Sequence, residues 1–398
     1  MPDTQHHTVL PTGRRADRCP FEPAAELTAL REQPGLPRIP RYHPFFGERE
    51  ARAVTRYADV RAVFSHEDIG ADLNADPDAP RTLFNQPGFL LGYDGPEHLR
   101  LRRMLAGAFT VRRLRELGPA IEKIVDEHLD AMEASGPGAD LVPAYALPIP
   151  SLVICDLLGV PYADRADFQH RSAVLLDATR PEQEQFANYA AMHAYMAELV
   201  ARLRAEPGDG LLGEVILEHG DEITDDELVG FGNLLLIAGH ETTSNMIALG
   251  TLALLSSPDQ LAAVRDDPEV APPAIEELLR YLSIVTYLDR RATADVDVDG
   301  HRIASGEWLS LSALAANHDP ALVGDPGLDV HRKPVAHLAF GFGAHQCLGQ
   351  QLARIELKAA LPALLRRFPE LRLAVPFEQL QFRTFSPIHG VTSLPVTW

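Results

Sequence analysis

The chain has 398 residues, 46% hydrophobic and 23% charged, which supplies the apolar surface for a large core and argues against a disordered or fibrous chain. Its 36 Lys and Arg against 56 Asp and Glu give a formal net charge of −20, which repels phosphate backbones and anionic membrane surfaces and argues against nucleic acid as a partner. Three cysteines, Cys19, Cys155 and Cys347, are too few and odd in number for the disulfide framework of a secreted domain, and fit a reducing cytoplasm.

Residues 1–20 carry no periodic apolar pattern and are expected to form a loosely held tail, with a single domain over 21–398. The first thirty residues hold no apolar run and no small-residue cleavage site, so neither a signal peptide nor a membrane anchor is expected. A short helix is predicted from about Pro23, a β-like stretch over Arg38 to Thr55, and a helix over Tyr57 to Glu67 on the spacing of Val60, Val63 and Phe64. Gly70 to Gly92, with Asn74, Pro77, Pro80 and Pro87, reads as a long loop of the kind that often carries function. Asp94 is placed to cap a helix with Pro96 in its first turn that runs to about Phe109, and Thr110 to cap another that reaches Ser135.

Helical spacing continues through Leu147–Leu158, Ala163–Ala178 and Glu182–Ala205. Thr224-Asp-Asp-Glu227 is a capping box, and the helix it opens is expected to run to about Ser256, roughly 45 Å at helical rise. Its apolar stretch from Leu234 to Leu255 is interrupted by the polar run His240 to Asn245, which is costly in lipid, so a buried core helix is expected there. A helix over Pro272 to Tyr281 precedes a β-rich segment turned by Asp299-Gly300, and a last long helix runs from Gly349 to Phe368. The fold class is therefore mainly α with a small β portion, in one large domain without repeats.

The segment Phe340-Gly-Phe-Gly-Ala-His-Gln-Cys-Leu-Gly349 sets Cys347 among Gly341, Gly343 and Gly349, just ahead of a helix. Glycines let backbone N–H groups approach a sulfur, and a helix N-terminus favours its thiolate, which can then bind haem iron and push electron density onto it. A cysteine seen alone is more often buried and inert, the fate expected for Cys155 in Ser151-Leu-Val-Ile-Cys-Asp-Leu-Leu158. His345 with Cys347 is half a zinc site, and no second pair at comparable spacing completes it. The segment resembles the cysteine-ligand signature of the cytochromes P450, in which Phe, Gly, a basic residue, Cys and Gly stand at fixed spacing, and every position is filled. That resemblance implies the cytochrome P450 fold, with a long central helix over a buried haem b (iron protoporphyrin IX). It also implies Cys347 as axial ligand of the iron, His345 as a haem-propionate partner, and Phe340, Gly341 and Gly349 as parts of the cofactor loop.

Within the long helix, Ala238-Gly-His-Glu-Thr-Thr243 is a polar patch in an apolar element, and buried carboxyl and hydroxyl groups are costly unless partnered. The simplest reading is a threonine bonded back to the i−4 carbonyl and a glutamate at a wet gap. Gly239 is expected to leave room for a flat cofactor and dioxygen. The stretch is similar to the Ala-Gly-x-acid-Thr of the P450 family. The likeness implies that Ala238 and Gly239 line the oxygen pocket, and that Glu241 and Thr242 deliver protons there; keeping both argues against a peroxide-driven relative.

Glu277 and Arg280 stand at i and i+3, where they can pair; the resemblance makes them the structural Glu-x-x-Arg of the family. His98 and Arg102, four apart on one helix, could grip a carboxylate together. Asp94-Gly-Pro-Glu-His-Leu-Arg-Leu-Arg-Arg103 resembles the family's propionate-binding stretch, which assigns both to a haem propionate, with Gly95 a minor departure. Arg290 fits the same role, with Arg291 as its rival, and Ala316-Asn-His-Asp-Pro320 resembles another family stretch with His318 in place of arginine.

A monooxygenase of this kind needs two electrons, and three cysteines cannot also ligate an iron–sulfur cluster, so a ferredoxin and its reductase are implied as partners. Arg100, Arg103, Arg112, Arg113 and Arg115, with Arg354, are the candidate docking cations; a solvated basic face is the alternative. Substrate contacts are expected from Asp72 to Leu91, from Phe168 to Met196, near Leu236 and Ala238, from Ile284 to Tyr287 and from Ser386 to His389. These stretches are largely apolar, which suggests a hydrophobic small molecule. The resemblance is closest to soluble actinomycete enzymes that hydroxylate macrolides, other polyketides and secosteroids. The function implied is insertion of one atom of dioxygen into a hydrophobic secondary metabolite. The alternatives are coupling, desaturation or rearrangement by the same haem, and a haem-binding protein without turnover.

Overall fold

A computed structural model describes residues 13–16, 19–43, 47–71, 86–175, 181–286, 288–383 and 388–398. Helices dominate, and the longest, Asp225–Leu255, is opened by the expected capping box: Glu227 N–H donates to Thr224 Oγ1 at 3.2 Å and Thr224 N–H to Glu227 Oε2 at 2.9 Å. This helix is apolar on nearly every side because it is packed on nearly every side, by Pro148–Leu158, Glu182–Ala205 and Gln350–Arg367. Gly250 admits Gln350–Arg367 closely, since a Cβ there would stand 3.2 Å from Leu361 Cδ1. No single helix among the described residues is long and apolar enough to cross a membrane.

The largest sheet among the described residues is five-stranded and mixed, beside one three-stranded and two two-stranded sheets. Arg38–His43 pairs antiparallel with Gly47–Val54, which runs parallel to Trp308–Leu311; that strand is antiparallel to Leu288–Ala292, and Ile69–Gly70 closes the far edge. The Asp299-Gly300 hairpin joins Val296–Val298 to His301–Ile303, with φ of 49° and 81° at the two turn residues, as its sequence requires. A smaller apolar core (Val60, Val63, Leu309, Leu311) lies under the sheet, apart from the main helical core.

At the end of the segment expected to be a loose tail, Arg15–Ala16 pairs with Cys19–Pro23, and the Arg15 guanidinium donates to the carbonyls of Phe21 (3.1 Å) and Ser283 (2.9 Å), while residues 1–12 and 17–18 lie outside the described residues. Two expectations need correction. The helix expected from Thr110 to Ser135 is two, Val111–Glu116 and Gly118–Ser135, because Pro119 cannot continue the hydrogen-bond ladder and instead starts a new helix. Asp94 and Thr110 occupy N-cap positions but make no side-chain cap, and Asp94 is used elsewhere. Of the stretches expected to touch substrate, residues 72–85, 176–180, 287 and 386–387 lie outside the described residues.

Candidate active site around Cys347

The loop before the last long helix turns on two glycines in the left-handed region, Gly341 (φ 68°) and Gly343 (φ 73°). A Cβ on Gly343 would overlap the Phe64 carbonyl, so the loop lies directly on the helix Tyr57–Ser65. Cys347 N–H donates to the Phe340 carbonyl at 2.9 Å, closing the loop, and the N–H groups of Gly349 and Gln350 are directed at the sulfur. Gly349 has an ordinary φ, and a Cβ there would come no nearer than 3.9 Å to its closest neighbour, Phe109 Cε1, so its contribution is its N–H rather than its lack of bulk. Burial pushes the Cys347 thiol up, against the two N–H groups and the charges of Arg102 and Arg354; the expected thiolate preference of the helix N-terminus is outweighed by desolvation until a cation meets the sulfur.

Cys347 is accessible and yet desolvated, the condition of an atom lining an internal hollow. On the long helix Ala238 is exposed and Thr242 half-buried, while Leu236, His240 and Glu241 around them are buried, so the helix leaves one short stretch accessible. A Cβ on Gly239 would meet Ile154 Cδ1 at 3.2 Å, so its missing side chain makes room for the helix Pro148–Leu158.

Beside the sulfur, charged groups from three elements converge. Arg102 Nη2 donates to the Gln346 carbonyl at 2.5 Å, the rings of His98 and His345 are 4.1 Å apart, and His345 Nε2 lies 2.6 Å from Asp94 Oδ1. His98 Nε2 is buried without a hydrogen-bond partner, and burial, with His345 and Arg102 nearby, pushes its pKa down to about 4. Arg290 sits over the Phe64 ring at 5.5 Å, its pKa lowered by burial against the pull of Asp94 and Asp289, whereas Arg291 lies over Trp308 at 5.9 Å. Alternation along Leu288–Ala292 thus turns Arg290 toward this cluster and its rival away. Desolvated guanidiniums and an orphaned imidazole nitrogen fit the anionic edge of a porphyrin, with Cys347 beside them for its iron. Among the described residues no three His, Cys, Asp or Glu side chains gather to hold a metal, so His345 and Cys347 gain no zinc-type partners.

The loop is braced from outside. Arg354 lies over the Phe340 ring at 4.6 Å and donates to both oxygens of Glu276 (2.7 and 3.0 Å), which also meets His337 Nε2 at 3.2 Å; these contacts hold the Glu276 carboxyl down at about 2. Arg280, fully buried, donates to both oxygens of Glu277 (2.8 and 2.6 Å) and to the carbonyls of Asn317, Pro326 and Gly327. Sequence reasoning foresaw this pair but missed Arg332, which reaches Glu277 at 3.2 Å from 55 residues away.

Glu241 and Thr242, adjacent in sequence, go different ways. Thr242 Oγ1 donates to the Ala238 carbonyl at 2.7 Å, the back-bond its sequence position allows. Glu241 is buried, accepts from Asn245 Nδ2 at 3.1 Å and is ion-paired with Arg383, a partner the sequence did not suggest. Cys155 is buried and its thiol pushed up to about 12 by burial, the inert cysteine expected.

The family model described as Cytochrome P450 matches residues 269–374. Pentalenic acid synthase of Streptomyces avermitilis is 46% identical, over 96% of this chain and 95% of its own, and vitamin D3 dihydroxylase of Streptomyces griseolus is 42% identical over 100% and 98%. A crystal structure of CYP105P1 in complex with filipin I superposes with a TM-score of 0.89 at 43% identity, covering 98% of this chain and 99% of that one. The chain belongs to the cytochrome P450 family and is of its monooxygenase type. Membership implies a haem-iron cofactor, redox partners and a small-molecule substrate.

Proposed function

We propose that the chain, as one domain over residues 21–398, binds haem b through Cys347 and inserts one atom of dioxygen into a hydrophobic secondary metabolite, with electrons from a ferredoxin and its reductase. The observation that carries this reading is the accessible, desolvated sulfur of Cys347, met by two backbone N–H groups and flanked by Arg102, Arg290 and the orphaned nitrogen of His98. In it, Arg102, Arg290, His98 and His345 hold the cofactor's carboxylates, with Asp94 orienting His345. When bound, haem supplies the oxidising power, its thiolate ligand favouring O–O cleavage. Thr242 offers a hydroxyl to the hollow, and Glu241, one position away, is the source of the proton it passes on.

The apolar side chains of Leu90, Leu91, Ala238 and Ile284 suit a hydrocarbon-rich substrate, and the names of the relatives, for pentalenic acid and vitamin D3, point to the same chemistry. Docking of an acidic ferredoxin falls to Arg103 and Arg115, which are exposed, with Arg112, exposed and only loosely paired with Glu116 at 3.9 Å; Arg100, Arg113 and Arg354 are engaged with Glu97 and Glu227, with Glu214 and with Glu276. Three free cysteines fit a cytoplasmic site of action. The test is turnover under labelled dioxygen with a ferredoxin, its reductase and reduced nicotinamide, over a panel of terpenoid, polyketide and secosteroid compounds. One labelled oxygen per product is expected; oxidised product without label would indicate coupling, desaturation or rearrangement.

A further inference from the structure

Glu241 is held by a closed ring of contacts that runs through the C-terminal hairpin, meaning the antiparallel segments 381–383 and 388–392 bridged at Phe382 and Val391. Its carboxylate is ion-paired with Arg383 and accepts from Asn245 Nδ2 at 3.1 Å. Arg383 N–H donates to the Gly390 carbonyl at 2.8 Å across the hairpin, and Gly390 packs so tightly on Asn245 that a Cβ there would overlap Asn245 Oδ1. The same hairpin is fixed to the other side of the site. Ile388 bridges Val285, His389 N–H donates to the Ile284 carbonyl at 2.7 Å, and the His389 ring stacks on Phe382 at 5.7 Å. The hairpin therefore touches both the stretch 284–285, from which substrate contacts are expected, and the acid of the long helix.

We propose that Arg383 is a positioning residue for Glu241, holding the carboxylate ionised and turned toward the hairpin, so that Glu241 hands a proton to Thr242 only after taking one from solvent and leaving Arg383, a step that depends on how the hairpin sits against Val285. This rests on the reading of Glu241 as proton source. A guanidinium in contact favours the ionised carboxylate, against the desolvation that opposes it, and the low dielectric of the interior strengthens their attraction while the pair is intact. Of the titratable groups buried on the elements around this helix, Arg280 is paired with Glu277, Arg15 lies near His389 and stays cationic near neutral pH, and four others are mainly neutral there. His240, beside Glu241, has both ring nitrogens buried without partners and is pushed down to about 4 by burial and by Arg383; burial holds His389 well below its ordinary value. Cys155 on Pro148–Leu158 is pushed up to about 12, and Glu356 on Gln350–Arg367 up to about 8, both by burial, so each is mainly neutral. Arg383 is then the charge that sets the state of Glu241. With Arg383 gone, a buried carboxyl takes up its proton at higher pH and is free to turn.

The experiment is infrared difference spectroscopy of the haem-loaded protein across a pH titration, comparing wild type with Arg383→Gln, Arg383→Lys and Gly390→Ala. In Arg383→Gln a protonated-carboxyl band is expected to titrate about one to three pH units higher than in wild type, and to vanish in Arg383→Gln/Glu241→Gln. Arg383→Lys should stay close to wild type. Gly390→Ala keeps the charge but pushes Asn245 and the hairpin apart, and should reproduce the upward shift in part; it serves as well if Arg383→Gln does not fold. Identical carboxyl titrations in wild type, Arg383→Gln and Gly390→Ala would overturn the proposal, as would a shifted band that survives removal of Glu241. Unaltered coupling in Glu241→Gln would instead defeat the proton-source reading itself, a separate outcome.

Discussion

Glu277→Ala is expected to yield little or no folded, haem-loaded protein. Arg280 is fully buried and Glu277 nearly so, and removing one partner of such a pair leaves an uncompensated charge in the interior at a cost of about 3–5 kcal/mol. That is a large part of the roughly 5–15 kcal/mol that separates folded from unfolded domains. The loss extends beyond the pair, because Arg332 and the Asp329 N–H also lose their acceptor on Glu277. A buried ion pair can often be exchanged for apolar residues without penalty, but Glu277→Met/Arg280→Met should not recover here. Arg280 also satisfies three backbone carbonyls, which methionine leaves bare. Yield of haem-loaded protein and thermal unfolding measure both variants. A Glu277→Ala protein that unfolds cooperatively within ~1 kcal/mol of wild type would contradict the role given to the pair.

The second large effect is on turnover. Glu241→Gln keeps the shape of the side chain and an oxygen for Arg383 but cannot supply a proton, and a positioned acid of this kind is worth about 10²–10⁴ in rate. Product formation should fall by that order while haem content and the spectrum of the resting protein stay unchanged. Thr242→Ala, which removes the hydroxyl bonded to the Ala238 carbonyl, should leave electron uptake near normal and lower the product formed per reduced nicotinamide, with peroxide in its place. If both variants couple electrons to product as wild type does, the two residues are structural and the relay is wrong.

Local sequence carried much of this. The capping box and the i to i+3 pair lie within one turn of helix, where spacing alone brings side chains together, and the hairpin residues Asp299 and Gly300 adopt the positive φ their types favour. The cysteine loop was legible for the same reason, since its glycines and the following helix are neighbours in sequence. Partnerships across the fold were not. Asp94 reads as a helix cap, yet its carboxylate is taken by His345, 251 residues away, and charge-assisted hydrogen bonds of that kind outbid a local cap without leaving a local signal. Arg383 and Arg332 are invisible for the same reason: nothing near them in sequence says which carboxylate they meet. Gly239 is a different case. A glycine in a helix says only that something comes close, and here it is Ile154.

The whole reading rests on Cys347 bound to iron, and the absorption spectrum of the reduced protein with carbon monoxide reports that bond directly. A strongly red-shifted Soret band is predicted for wild type and its loss for Cys347→Ser, with Thr242→Ala keeping the wild-type band. A wild-type protein without the shifted band, or a Cys347→Ser protein that retains it, would contradict the account.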